Sequence, residues 1–421
     1  MRFSIFWFRN DLRLDDNPAL HKAIHNSDRL LPLYIFDENE YSTFSSGVKK
    51  VGDHRFRFIL ESLEDLRNNL KRKNSDLLIL KGEPVLLFMG LCEKFTISKI
   101  YSTYEYGLHE KELEKKISLE VPLEIVEGNT LYSIPDLPFK IENLPKHFTA
   151  FREKLEKVSN IQKILDVPET FPPLPERFKI ENEFEIPKSN NPKKIFIGGT
   201  GEAMHRVQYY FFQSRLLSNY KNTRDQISGF DNSSKLSPYL SRGCISPKRI
   251  YFEIQKYETE IEKNESTYWL YFELLWRDYF KFVALQKREK LFLKDGWAGE
   301  SNRFNKDVHL YERWAKAKLG EPLIDSFINE LNQTGYMSNR GRQIVASYFA
   351  KELKIDWRWG AEWFESQLID YDVASNYGNW AYQAGVGNDP RKDRTFNLKI
   401  QSHKYDPENK FINQWSSNPG I

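Results

Sequence analysis

The segment WLYFELLWRDYFKF (269–282) sets Trp276, Arg277 and Phe280 three, four and seven residues after Glu273, on adjoining faces of one helix. A carboxylate, an indole and a guanidinium so placed can line a pocket for a flat molecule with polar edges. The same letters also describe a buried amphipathic helix with an internal ion pair. GFDNSSKLSPYLSRGCIS (229–246) puts Ser233, Ser234 and Ser237 where a helix is expected to begin, with Lys235 among them. Backbone N–H groups, hydroxyls and an ammonium at a helix start suit a phosphate, although an ordinary serine cap reads the same way. GYMSNRGRQIVASYF (335–349) supplies Asn339, Arg340, Arg342 and Gln343. LIDYDVASNYGNWAYQAGVGNDPR (368–391) crowds Asp370, Asp372, Asn376, Trp380 and Tyr382 into what reads as a glycine-bearing loop. Such acids and arginines form either a ligand cradle or structural ion pairs.

These segments need elements to hold them. Residues 1–130 alternate short β-rich runs (Phe3–Phe8, Leu30–Phe36, Asp76–Leu80, Lys99–Ser102, Val121–Val126) with helical patterns. In the clearest helix, Asp53–Lys71, apolar residues recur every three or four positions from Phe56 to Leu70. Such alternation predicts an α/β domain, a doubly wound parallel sheet. The first strand-to-helix turn, RNDLRLDDNP, has no glycine fingerprint for a dinucleotide. Asp16-Asn17-Pro18 reads as a helix cap. Residues 131–199 are rich in Pro and charge and read as a long linker, helical only at Phe148–Val158. Residues 200–421 read as nearly all helix: Glu202–Leu217, Ser246–Lys256, Thr267–Leu285, Leu323–Leu331, Gly341–Leu353 and Trp359–Leu368.

Composition excludes several classes. The 421 residues are 40% hydrophobic and 29% charged, enough to bury a core, and no run reaches the roughly 20 apolar residues of a membrane span. Cys92 and Cys244 make neither a disulfide framework nor a zinc cage. The first apolar run is interrupted by charge, unlike a signal peptide, so a soluble cytoplasmic protein is expected. A net charge of +3 does not by itself announce nucleic-acid binding. Nine of the ten tryptophans fall between Trp269 and Trp415, so the second half uses indole rings in a particular way.

Taken in order, FWFRNDLRLDDNPAL, KLSPYLSRG, ELLWRDYF, TGYMSNRGRQ, DWRWGAEWF and DYDVASNYGNWAYQAGVGNDPR resemble the DNA photolyase/cryptochrome family. SNRGRQ and NYGNWAYQAGVGNDPR are similar to its DASH branch. The resemblance runs from residue 2 to about 415, short of a further helical segment usual in the family. It implies an all-α domain that holds FAD in a bent conformation. By that resemblance Tyr220, Arg224, Ser233, Ser234, Lys235 and Ser237 hold the FAD phosphates and ribityl chain. Arg342 and Asp370 pair beside the ring system, Asp372 bonds near it, and Asn376 faces flavin N5. On the substrate side, Trp276 and Tyr382 flank a cavity edged by Glu273, Asn339 and Gln343. An enzyme acting on a base takes it out of the stack, and aromatic walls replace the lost stacking.

The resemblance further implies light-driven repair of cyclobutane pyrimidine dimers, mainly in single-stranded DNA, by a monomer with no membrane partner. The alternative is a blue-light photoreceptor that binds nucleic acid without repair. Trp380 and Trp357 match the inner and middle tryptophans of the family's electron relay, but Phe304 stands at the outer position, with Trp314, Trp359 and Trp363 as other exits. Arg340 and Arg391 are candidates for phosphate contacts. Glu105 resembles the acid that contacts a folate antenna, 5,10-methenyltetrahydrofolate in the DASH branch. A solvent-exposed Glu at a helix start is the competing reading.

Overall fold

The computed structural model describes residues 2–158, 160–175, 183–186, 195–298, 304–389 and 395–416. Five strands, β1 (Phe3–Phe8), β2 (Arg29–Asp37), β3 (Leu78–Gly82), β4 (Ile97–Thr103) and β5 (Leu123–Val126), form one parallel sheet in the order β3-β2-β1-β4-β5. Side chains alternate across it. Ile5 and Trp7 pack with Phe88, Leu91 and Ile117 on one face. Phe6 and Phe8 pack with Leu20, Phe58 and Leu63 on the other. Helices therefore cover both faces, as the alternation predicts. Asn17 caps the Pro18–His25 helix by accepting from the Leu20 N–H. The order of strands reverses at β1 and β4, so their carboxyl ends frame a crevice of the kind that binds ligands in such sheets.

The second core is helical. Its spine is the Glu265–Lys287 helix, started by a reciprocal box between Asn264 and Thr267 and buried on several sides. Three readings of the sequence need correction. The expected Glu202–Leu217 helix ends early: Thr200–Val207 is α-helical, Gln208–Gln213 widens into a π turn, and Arg215 turns left-handed. The 341–353 segment likewise passes from an α-helix at Asn339–Ser347 into a π turn at Tyr348–Glu352. The presumed loop after Asp372 is a helix, Val373–Ala384, capped by the Asp372 carboxylate on Ser375 N–H and closed by Gly385. Gly378 within it is required by packing. A Cβ there would collide with the Phe280 ring, so glycine lets this helix lie close against the spine.

Residues 131–158 are more than a tether. The Phe148–Val158 helix buries Phe151 and Leu155 in the core shared by the sheet and the spine. A second tie comes from Arg13, which is fully buried. Its guanidinium donates to Asp16 O (3.0 Å), Gly128 O (2.8 Å), Asn129 Oδ1 (3.1 Å) and Gly243 O (3.1 Å), joining the two halves of the chain. Lysine cannot reproduce that planar fork. Arg13→Ala should strand these acceptors and lower stability by about 3 kcal/mol, seen as a lower denaturant midpoint. Arg13→Lys should recover little of it.

Candidate functional site

A cavity of about 510 Å³ opens between the spine, the serine segment and the helices at Asn339–Ser347 and Val373–Ala384. Its wall contains Tyr220, Arg224, Ser233, Ser234, Lys235, Ser237, Glu273, Trp276, Asn339, Arg342, Gln343, Asp370, Asp372 and Tyr382. A smaller cavity of about 80 Å³ shares Arg342, Asp370 and Asp372 and adds Asn376 and Trp380. Segments up to 160 residues apart in sequence thus meet in one place. Trp357 and Glu105 line neither cavity.

The serine segment departs from expectation. Its helix is only Ser237–Ser241, while Ser233 and Lys235 precede it in extended and left-handed backbone. Arg206 fixes that loop by donating to Ser234 O (2.8 Å) and Ser233 O (3.0 Å). The phosphate-type donors are therefore hydroxyls and the Lys235 amine rather than a long helix start. Across the cavity Arg342 pairs with Asp370 (2.9 Å), and Ser237 Oγ donates to the same Asp370 oxygen (2.6 Å). The other oxygen, Oδ1, is buried with no hydrogen-bond partner. A buried acceptor left open beside hydroxyls, an amine and a guanidinium suits a ligand with phosphates at one end and imide N–H groups at the other. FAD fits that donor set. Tyr336 stands between Lys235 (4.6 Å) and Arg342 (5.3 Å), both over its ring.

Asn376 Nδ2 donates to Ala361 O (2.9 Å), so its carbonyl oxygen is the atom left for the cavity. Glu273 pairs with Arg224, which unites a residue expected on the cofactor side with one expected on the substrate side. Burial pushes the Glu273 carboxyl up, while Arg224 opposes it. One face of Trp276 stacks on Phe148 (3.8 Å, 10°). Arg340 is no free phosphate contact: it binds Asp225 (2.7 Å) and Gln343 (3.0 Å). Arg391 lies outside the described residues.

Glu105 is buried, which disposes of the exposed-helix-start reading. It lies just past the end of β4 in the sheet's crevice and accepts from Asn10 Nδ2 (3.1 Å). Burial raises its pKa, and the Arg9 and Lys281 charges oppose the rise. Glu110 beside it is raised to about 8, first by burial and then by Glu105.

Sequence reasoning passed over four contributors: Phe148, Arg206, Tyr336 and Lys281. Tyr336 sits inside a quoted motif, and Lys281 lies four residues after Arg277. Those spacings were the available signal. Phe148 sat in a stretch read as linker, and Arg206 acts only through tertiary contact.

Lys281 is almost wholly buried between Asp372 (3.4 Å) and the Tyr106 ring (4.6 Å). Burial alone would raise Asp372, but Lys281, Arg277 and the Ser375 bonds hold it at about 2. Burial conversely pulls Lys281 down, with Asp372 holding it up. A carboxylate depressed below its ordinary value of about 3.9 stabilises the fold above that pH, and the contribution fades as pH falls toward 2. Asp372→Asn keeps a helix cap but should cost about 2 kcal/mol at pH 7. Denaturant midpoints should differ less between the variant and the parent at pH 2.5 than at pH 7.

Comparison with known proteins fits this geometry. Residues 4–176 match the family described as DNA photolyase, and residues 269–418 the one described as FAD binding domain of DNA photolyase. A Cryptochrome DASH of Xenopus laevis is 41% identical over 98% of this chain and 82% of its own. The crystal structure of a Synechocystis sp. PCC6803 cryptochrome superposes with a TM-score of 0.94 at 39% identity, covering 99% of this chain and 88% of that one. An archaeal photolyase of Sulfolobus tokodaii, described with two FAD molecules, gives a TM-score of 0.80 at 26% identity over 99% of this chain and 90% of that one. With a family-typical sheet, a family-typical helical domain and relatives of this identity over nearly its whole length, the chain belongs to the photolyase/cryptochrome family, alongside proteins named Cryptochrome DASH.

Proposed function

We propose that the protein is a light-driven lyase that uses FAD to split cyclobutane pyrimidine dimers in DNA, preferring single strands. One observation carries the reading: the phosphate-and-imide cradle and the Trp276–Tyr382–Glu273 wall belong to one continuous cavity. When bound, reduced FAD supplies the electron that light sends to the dimer and recovers after the ring opens. The remaining work falls to side chains. Ser233, Ser234, Lys235 and Ser237 anchor phosphates, with Tyr220 and Arg224 beside them. Arg342 places positive charge at the ring system and is itself held by Asp370. Asn376 presents a neutral amide where an acid would be a ready proton donor. Trp276 and Tyr382 replace the stacking that an extruded dimer loses, and Glu273, Asn339 and Gln343 meet its polar edge.

The same reading includes a monomer working in the cytoplasm and 5,10-methenyltetrahydrofolate as antenna against Glu105. No helix of the described residues is long and apolar enough to cross a membrane. A relative in Arabidopsis thaliana is named for chloroplast or mitochondrion.

The decisive test is to illuminate reduced, FAD-loaded protein with a dimer-bearing oligonucleotide, as single strand and as duplex, and count restored pyrimidines. Restoration faster on the single strand is expected. Trp276→Ala should lower repair at least tenfold with flavin content unchanged, and Glu273→Ala, which also unpairs Arg224, should lower repair by as much. A loaded protein that binds the oligonucleotide and restores nothing is a photoreceptor instead.

For filling the flavin with electrons in the first place we propose another route, supported by the ring spacings. No ring pairs with Phe304 among the described residues. Trp380 instead meets Trp314 (6.5 Å), Trp314 meets Tyr311 (6.0 Å), and Tyr311 meets the partly exposed Trp359 (5.3 Å). Trp357 is fully buried, with Tyr377 as its ring neighbour (6.3 Å). We therefore place the exit along Trp380, Trp314, Tyr311 and Trp359. Trp314→Phe and Trp359→Phe should slow photoreduction of the oxidised protein several-fold and leave repair by the pre-reduced protein unchanged. Phe304→Trp should then change little. A large gain in Phe304→Trp would restore the Trp357 route.

A further inference from the structure

Beside the main cavity lies a second one of about 370 Å³ that none of the roles above uses. It shares Trp276, Phe280 and Tyr382 with the main cavity, so those rings form a common partition. Its far side is built from His147, Phe148 and Thr149, the start of the Phe148–Val158 helix, together with Tyr279, Trp297 and Asn388. The wall is rigid where rings meet. Phe148 stacks on Trp276, Tyr279 OH donates to Lys146 O (2.6 Å), and Asn388 Nδ2 donates to Tyr279 OH (2.8 Å) while its oxygen accepts from Trp297 Nε1. The lip is open, with His147 and Thr149 exposed. A cavity of this size with aromatic walls and a few polar groups is a ligand site by form.

The exposed Lys146 immediately precedes His147 of the lip. Lys287 lies eleven residues after Trp276 and seven after Phe280, on the same face of the spine helix. The charges of Lys290 and Lys146 reach it and push its pKa down, after burial. The neighbouring acid, Glu289, is turned to Arg288 (3.7 Å). Among the described residues no acid pairs with Lys146, Lys287 or Lys290. Three ammonium groups gathered without a counter-charge, next to a ring-walled cavity, match a nucleotide: a flat base and a phosphate.

We propose that this second cavity binds the nucleotide adjoining the dimer on the same strand, its base against the partly exposed Trp297 side and its phosphate on the lysine cluster. The inference rests on the reading of the main cavity as a dimer site. With Trp276, Phe280 and Tyr382 between them, the dimer and its neighbour occupy opposite sides of one partition, and the strand bends around it. Such a bend needs an unpaired neighbour. That gives a structural reason for preferring single strands, since in a duplex the neighbouring base would have to leave its own partner.

The test compares the affinities of the FAD-loaded protein for a bare dinucleotide dimer and for pentanucleotides with the dimer at the centre. Some of the pentanucleotides are made abasic at one flank. Stacking of one base is worth about 1–3 kcal/mol, or roughly 5- to 150-fold in affinity. The pentanucleotide should bind at least fivefold tighter than the dinucleotide, and an abasic residue at one flank only should remove most of that gain. Thr149→Trp, which fills the second cavity from its exposed lip, should bring the pentanucleotide down to the dinucleotide level without altering dinucleotide binding. Lys287→Gln should reduce the salt slope of pentanucleotide binding by about one. Equal loss at both flanks, no loss at either, or a gain that survives Thr149→Trp overturns the subsite and leaves the dimer site standing. Failure of the loaded protein to bind even the dinucleotide dimer overturns both.

Discussion

Three titratable side chains on the spine helix, Arg277, Asp278 and Lys281, are largely or wholly buried, and each finds a partner off that helix. Arg277 donates to Asn129 O (2.7 Å), Asp278 accepts from the Leu131 N–H (2.8 Å), and Lys281 meets Asp372 (3.4 Å). Removing Asp372 would leave the Lys281 charge buried without its carboxylate, a loss of about 3–5 kcal/mol, and the other two contacts tie side chains to backbone groups at Asn129 and Leu131. These contacts therefore fix the strand-to-linker corner on one side and the start of the Val373–Ala384 helix on the other. With those two bodies pinned, the remaining face of the spine is left to Glu273, Trp276 and Phe280. The cavity is where it is because the charges behind it allow only one arrangement.

That dependence explains what the sequence could and could not disclose. The strands were legible as short, nearly continuous apolar runs, because both faces of the sheet are covered, and the Asp53–Lys71 helix by its three-to-four-residue period, one face toward the core. Every residue expected around FAD or the dimer lines one of the two adjoining cavities, because ordered motifs carry their neighbours with them. The Val373–Ala384 helix was not legible. Its Asn and Gly residues argue for a loop on propensity, and only the Phe280 ring across the interface shows why Gly378 is needed. Likewise Arg206 and Phe148 act through partners 27 and 128 residues away, at Ser233 and Trp276, and no local pattern marks such a contact.

The pairing of Arg224 with Glu273 has a chemical consequence. If the two belonged to separate cofactor and substrate shells, each could be changed without the other. Linked by an ion pair inside a cavity, they share one charge balance. Burial pushes the Glu273 carboxyl up and Arg224 opposes the rise, so the proposed dimer contact at Glu273 is coupled to the ion pair. As a carboxylate it would accept from imide N–H groups, where a protonated acid would offer a hydroxyl instead.

The crowding of tryptophans into the second half resolves into two separate uses. Trp276 and Trp297 are partly exposed and line the cavities, where an indole offers a flat, solvent-reachable face. Trp314, Trp357 and Trp380 are sealed from water, and the indole N–H groups of Trp314 and Trp380 have no hydrogen-bond partner. Packing for its own sake rarely leaves a buried polar group unsatisfied, since each such group costs about 1–3 kcal/mol. In the relay proposed above these indoles would supply oxidisable rings, as would the Tyr311 phenol, at ring spacings of 6.5, 6.0 and 5.3 Å. Gly360 supports the same conclusion from the backbone side: a Cβ there would strike the Trp380 indole, so the chain forgoes a better helix former in order to hold that ring in place.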